Sequence, residues 1–294
     1  MTELNPVVRF AEPSDAPGLV RLFSRYYTQN KPEAYFLWQF FSPEMPAKLV
    51  VVVEAEEIVG SFGLMLRPLS QGLRCAQAMD MLLAETHRGH GLFSAMVRHA
   101  LVAFRDIHYL VVLANRSGMD AVTRSLGWSV IAQVPVYTAL KIPLCGAISD
   151  PELAGGQDVD DTLRIIYDRR TEHWRFDDHP VNQYHCLEVS GVRGYLKVFS
   201  TPAEAANRIG DILYVTPADQ TATERWLQQA FEWFRQNEVW SCGLWALPDT
   251  VMAASAVRAG LVPQLQDRWL CVTSVGSERP EMRWDVCAAD AEFY

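Results

Sequence analysis

At 294 residues the chain is long enough for two domains of about 150 residues each. Its composition, 49% hydrophobic and 21% charged, is that of a globular protein able to bury real cores and excludes a disordered one. A net charge of −9 argues against nonspecific nucleic-acid binding. No apolar run approaches the roughly 20 residues of a membrane span, and the N-terminus shows neither a basic nor an apolar leader region, so a cytoplasmic protein without a membrane partner is expected.

The first elements read in chain order as strand then helix. Residues 7–11 are apolar and β-branched, residues 12–15 supply a turn and cap, and Leu19, Leu22, Phe23 and Tyr26 keep helical spacing. A second helix over 33–41 is dense in aromatics and stops at Ser42-Pro43. Runs 49–54 and 58–66 flank Ala55-Glu56-Glu57 as an antiparallel hairpin, and Gln71-Gly72 turns the chain into a strand over 75–84. A helix over 92–104 follows, with apolar residues at 92, 93, 96, 97, 100, 101 and 104. A strand over 109–114, a helix over 119–126 and strands either side of Pro135 complete a first domain spanning 1–147.

Residues 148–158 are polar and rich in chain breakers, which marks a linker. The second domain, 159–294, reads as a helix over 160–174 and strands over 183–189, 194–199 and 209–215. A helix opened by a Thr221…Glu224 capping box, a strand over 239–247, a helix over 249–259 and a strand over 270–275 follow. Trp38, Asp80 and Gly127 recur as Trp174, Asp211 and Gly260 in the same order at near-constant offsets, the pattern of a duplicated mixed α/β unit.

Chemistry concentrates in one place. Glu85-Thr86-His87-Arg88-Gly89-His90-Gly91-Leu92-Phe93 joins a strand to an amphipathic helix. A glycine-bearing turn there exposes amide hydrogens with no intrahelical partner at the positive end of a helix dipole, a setting for phosphate or pyrophosphate. Arg88 adds a charge. The alternative is an ordinary turn whose glycines serve only its geometry. The charge balance agrees with an anionic ligand in the first half: residues 1–147 hold 13 basic against 12 acidic residues, and the rest hold 13 against 23. No P-loop, dinucleotide fingerprint or GxSxG is present, and six scattered cysteines form no metal or disulfide pattern. No metal is expected.

Arg88-Gly89-His90-Gly91-Leu92-Phe93 resembles the acyl-coenzyme A signature of the GNAT N-acetyltransferase superfamily, Q/R-x-x-G-x-G/A. Residues 119–126 closed by Gly127-Trp128, with Asn115 before them, resemble that family's "N…LGF" region. The aromatic Phe36-Leu37-Trp38…Pro43 segment resembles GNAT-like proteins of bacterial sugar and cell-envelope pathways.

The resemblance implies two GNAT-like α/β (α+β) domains in tandem, each a mixed, mostly antiparallel twisted sheet flanked by helices. The second is degenerate, since Thr216-Pro217-Ala218-Asp219-Gln220 lacks the cofactor signature. It implies acetyl-coenzyme A, or coenzyme A, as co-substrate. The pyrophosphate is held by amides from Arg88 through Gly89, His90, Gly91 and Leu92 to Phe93, the pantetheine arm lies along Met81 and Leu83, and Asn115 touches the pantetheine or thioester end.

The implied reaction is acyl transfer to the amine of a small molecule, an amino sugar for instance, by direct attack in a ternary complex. O-acylation and a noncatalytic acyl-coenzyme A-binding scaffold remain as alternatives. Asp80 interrupts an apolar strand and is the first base candidate, against a place on the solvated face or a purely structural pairing with an arginine; Glu85 is the second. Where the family often has a tyrosine acid stands Thr123, leaving Tyr109 or Tyr137, or water, to protonate the thiolate. Tyr35 and Trp38 are expected to shape the acceptor pocket. His87 and His90 either meet phosphate or lie in solvent. A monomer or homodimer fits a duplicated chain.

Overall fold

Three of the four residues of β1 (Val7–Phe10) are β-branched or aromatic, which favours the extended backbone it adopts. Arg9 then forks onto Asp15 at 2.6 and 2.8 Å and closes the turn into α1 (Ala16–Ser24). The computed structural model describes residues 6–27, 31–143, 162–201, 204–276 and 282–291. After α2 (Glu33–Phe41), strands β2 (Ala47–Glu54) and β3 (Glu57–Pro68) form the expected hairpin. Its tip, Ala55 and Glu56, has positive φ at both residues, the conformation a tight hairpin turn requires. Next come β4 (Arg74–Leu83), α3 (Leu92–Leu101), β5 (Tyr109–Ala114), α4 (Arg116–Leu126) and β6 (Ser129–Ala139).

Two short elements, β7 (Thr162–Leu163) and α5 (Arg169–Glu172), precede a π turn over His173–Asp177. The remaining elements are β8 (His185–Val189), β9 (Val192–Thr201), β10 (Glu204–Val215), α6 (Gln220–Gln236), β11 (Val239–Trp245), α7 (Val251–Arg258), β12 (Val262–Ser274) and β13 (Arg283–Trp284).

Several sequence expectations change. The helix over 160–174 is replaced by a two-residue strand and a single helical turn, because Asp168 accepts from the Thr171 amide at 2.7 Å and starts the helix there. Pro135 does not divide two strands. It lies within β6, just before the Val136–Ala139 stretch that pairs with β11, where its missing N–H costs that ladder nothing. Thr221 does not cap α6; Asp219 does, accepting from the Ala222 amide at 2.8 Å. The last long strand starts at Val262, eight residues before its expected position.

The chain divides into two compact units, neither contiguous in sequence. One comprises residues 1–131, 166–181 and 269–279, the other 132–165, 182–268 and 280–294. In the first, the strand order is β1-β2-β3-β4-β5-β12, antiparallel except for the β4–β5 pair, with Trp269–Ser274 of β12 against β5. α1 and α2 bury Leu19, Leu22, Phe23, Phe36 and Phe40 on one face; α3 and α4 bury Met96, Val97, Ala100 and Val122 on the other. In the second, the order is β8-β9-β10-β11-β6, again with one parallel pair, β10–β11. Trp226, Leu227, Phe231 and Phe234 of α6 and Ala253 and Ala256 of α7 form its core.

The closing strand segments are exchanged: Val136–Ala139 of β6, which follows α4 in sequence, pair with β11 of the second unit, while Trp269–Ser274 of β12, which follows α7, pair with β5 of the first. The expected linker at 148–158 lies outside the described residues, and the units do not follow a cut at that point.

Candidate active site

From Ala78 to Leu83, β4 is apolar apart from Asp80. Asp80 has φ +48°, and the β3–β4 register shifts between Ser61 and Gly63, so the strand is bulged there. β4 pairs with β5 only over Cys75–Gln77, although it stays paired with β3 as far as Leu83. Beyond the bulge, half-buried Met81 and buried Leu83 therefore lie on an edge with no ladder partner on the β5 side among the described residues. Such an edge offers backbone donors and acceptors to an extended amide chain.

The turn after β4 is built on its glycines. Gly89 (φ +83°) and Gly91 (φ +75°) are both left-handed, and a Cβ at either would meet nothing within 4 Å. Gly91 starts α3, and its carbonyl accepts from Ala95 at 3.0 Å. Among the described residues, the amides of Gly89, His90, Gly91, Leu92, Phe93 and Ser94 have no protein acceptor. These donors and the positive helix end form a ready anion site. Phe93 does not close the turn, because its ring packs edge-on against Phe62, 5.9 Å away, at the α3 face of the sheet. Arg88 donates from Nε to the Leu83 carbonyl at 3.1 Å, tying the turn to the end of β4. His90 is exposed, while His87 meets Glu54 at 2.9 Å.

The corresponding turn of the second unit is different. Asp219 places a carboxylate at the N-terminus of α6, supplying from within the chain the negative charge that the helix end favours.

Asp80 is only 1% exposed. Its carboxylate accepts from Lys31 Nζ and, at 2.8 Å, from Gln39 Nε2, while its carbonyl accepts from Ser61 at 2.7 Å. Lys31 is itself buried, with Nζ 5.0 Å from the centre of the Phe23 ring and 4.8 Å from that of Tyr35. Asp80 is thus on no solvated face, and the cation bonded to it is a lysine where an arginine was expected as the structural alternative. Lys31 lay hidden in a segment that reads only as a loop before Pro32, 49 residues away in sequence. Gln39 was missed for a similar reason: a single amide in an aromatic helix gives no signal of its own.

Tyr35 and Trp38 lie on α2, beside this pair. Trp38 stacks on Trp174 at 4.4 Å and 10°, each indole donating to the other's backbone carbonyl at 3.1 and 3.4 Å. Two of the residues that mark the sequence repeat therefore face each other inside one unit.

The other candidates have settings of their own. Glu85 is exposed at the turn, 3.8 Å from Arg88. Tyr137 belongs to the second unit's core, where burial, and secondarily Asp249, push its hydroxyl pKa up. The Asn115 side chain caps α4, accepting from Gly118 at 2.9 Å. The Thr123 hydroxyl donates to the Met119 carbonyl at 2.8 Å. Burial pushes the Cys242 thiol up to about 12 and Cys271 to about 11, so neither supplies a thiolate at neutral pH.

Residues 16–128 match the model of the acetyltransferase (GNAT) family. No curated protein matches the sequence. Among solved structures, the chain is similar to a GCN5-related N-acetyltransferase from Kribbella flavida, at 10% identity over 92% of this chain and 71% of that one, with a TM-score of 0.60. It is also similar to a tandem GNAT protein from the clavulanic acid biosynthesis pathway, at 15% identity over 94% and 100% of the two chains and a TM-score of 0.53. Eis1 from Mycobacterium abscessus is similar at 14% identity over 90% and 73%, with a TM-score of 0.53.

Proposed function

We propose that the first unit binds an acyl-coenzyme A and passes a short acyl group, acetyl, to the amine of a small molecule; the match of residues 16–128 to the acetyltransferase (GNAT) family model and the fold likeness to a tandem GNAT protein support this reading. The observation that carries this reading is the set of backbone amides at residues 89–94 without a protein acceptor, beside left-handed glycines with open space around them. A pyrophosphate fits such donors, and the edge at Met81 and Leu83 fits a pantetheine arm. The thioester supplies an activated acyl carbon. The chain's own residues hold it, orient it and move the acceptor's proton.

In this reading the acceptor amine approaches the β4 bulge and attacks the thioester directly in a ternary complex. A backbone N–H of β4 stabilises the developing oxyanion. Asp80 is the base, which requires an incoming amine to take the place of Lys31 at its carboxylate. Thr123 is bonded to the helix backbone and is a poor acid, so the leaving thiolate takes its proton from water. Amino sugars and amino-acid amines are the first acceptors to test. The second unit, with Asp219 in place of the glycine turn, does not bind coenzyme A.

Binding without turnover is a second reading. It is favoured by the burial of Asp80 against an internal lysine and by the absence of a tyrosine at position 123. Coenzyme A is expected to raise Tm. Gly91→Ala, which puts a methyl group into the open space of the turn and strains a left-handed residue by about 1 kcal/mol, is expected to abolish that rise while costing only a few degrees of Tm. Thiol release from acetyl-coenzyme A across the amine panel then separates the readings: release supports the transferase, and binding without release leaves the scaffold. A protein that coenzyme A does not stabilise refutes both.

A further inference from the structure

Lys31 places a primary amine at the bulge of β4, at the carboxylate assigned above as the base. Its Nζ bonds to Asp80, lies over the rings of Phe23 and Tyr35, and is 8% exposed. A carboxylate with two aromatic faces is the chemistry that recognises an ammonium group. An arginine would make the more durable structural partner, with its delocalised charge and fork of donors; a lysine is the side chain that gives up its proton readily when buried and becomes a nucleophile. Asp80 also keeps a left-handed backbone that a non-glycine residue adopts only at a cost of about 1–3 kcal/mol, strain of the kind that persists at functional sites.

We propose that Lys31 is an acyl acceptor within the protein: the first unit acylates its own Lys31 Nζ from bound acyl-coenzyme A. The inference rests on the acyl-coenzyme A reading above. One ammonium proton passes to Asp80, and the neutral Nζ attacks the thioester carbon. The N–C bond forms, the C–S bond breaks, and the second nitrogen proton goes to the departing thiolate. The products are Nε-acyl-Lys31 and coenzyme A thiol, with the proton on Asp80 returned to solvent. No oxidation or reduction occurs. Acylation removes the charge that Lys31 holds against Asp80.

The test is peptide mass spectrometry of the full chain after incubation with acetyl-coenzyme A. The expected result is a single acetyl group, stable to hydroxylamine as an amide is, on Lys31, ahead of the exposed Lys48 and Lys141. Chemical acetylation with acetic anhydride should reverse that order, because it follows exposure. Lys31→Arg, which keeps a cation beside Asp80, is expected to lose the adduct while still being stabilised by coenzyme A. Gly91→Ala should lose both the adduct and the stabilisation. Acetylation of Lys48 and Lys141 to the same extent as Lys31, or none at Lys31 in a protein that coenzyme A stabilises, overturns this proposal and leaves the cofactor reading standing. A protein that coenzyme A does not stabilise overturns both.

Discussion

Asp80 and Lys31 form a buried ion pair, and such a pair is worth less than its geometry suggests. Desolvating two charges offsets most of their attraction, yet removing one partner strands the other. Asp80→Asn therefore leaves the Lys31 ammonium facing a neutral amide at 8% exposure, and about 3–5 kcal/mol of stability should be lost. Lys31→Met should also destabilise the fold, because it removes the cation bonded to the Asp80 carboxylate. The double variant Asp80→Asn with Lys31→Met removes both charges and is expected to recover most of the loss, giving a coupling energy of about 2 kcal/mol or more in urea unfolding at constant m. Additive losses would show that the two side chains do not act as a pair. Activity measurements on Asp80→Asn alone carry this instability with them, so turnover is best compared at a temperature well below the variant's own Tm.

At the scale of elements, local patterns were the legible part. The hairpin of β2 and β3, the aromatic helix at 33–41, the strand at 109–114 and the glycine turn before α3 all follow from alternation, helical spacing or special backbone needs within a dozen residues. The misread elements fail where a single polar side chain decides the boundary. Asp168 starts a helix nine residues after the expected start, and Asp219 displaces the Thr221 cap. The Lys31–Asp80 pair was out of reach for a different reason, since nothing in the periodicity of either segment indicates contact across 49 residues. Asp219 also shows why the second unit's helix needs no anion. Its carboxylate caps α6 at 2.8 Å from the Ala222 amide, and the Thr223 hydroxyl donates to its carbonyl at 2.9 Å. Asp219→Ala is expected to lower the urea midpoint by the equivalent of about 1 kcal/mol, the usual worth of an N-cap. Stabilisation by coenzyme A should be unchanged, because the proposed site belongs to the other unit; a loss of that stabilisation would put the proposed cofactor site on the wrong helix.

For the whole molecule, the decisive feature is the exchange of closing strands, which no local pattern announces. β5 reads Tyr-Leu-Val-Val-Leu-Ala, and every residue from Tyr109 to Ala114 pairs with one from Ser274 to Trp269 of β12. Leu270, Cys271 and Val272 are buried there, and Cys271 belongs to the same core as Val112 and Ala114. The first unit also draws Trp174 from the second half of the sequence, packed into the α1–α2 core and stacked on Trp38. Residues 1–147 expressed alone would thus keep the glycine turn, the β4 bulge and the Lys31–Asp80 pair, but lose the strand that covers β5. They would also retain β6, whose Val136–Ala139 stretch pairs with β11 of the other half. An uncovered apolar strand edge is a template for aggregation, and β6 would add a second. The expectation is that 1–147 is insoluble or associates on size exclusion and shows no cooperative unfolding, whereas the full chain unfolds cooperatively. Co-expression with 159–294 should restore soluble protein, since the two pieces supply each other's missing strands. A monomeric 1–147 that unfolds cooperatively and gains Tm with coenzyme A would show that β6 can pair with β5 in the absence of β12, and that the exchange is a convenience of the tandem chain and not a requirement of the first unit's fold.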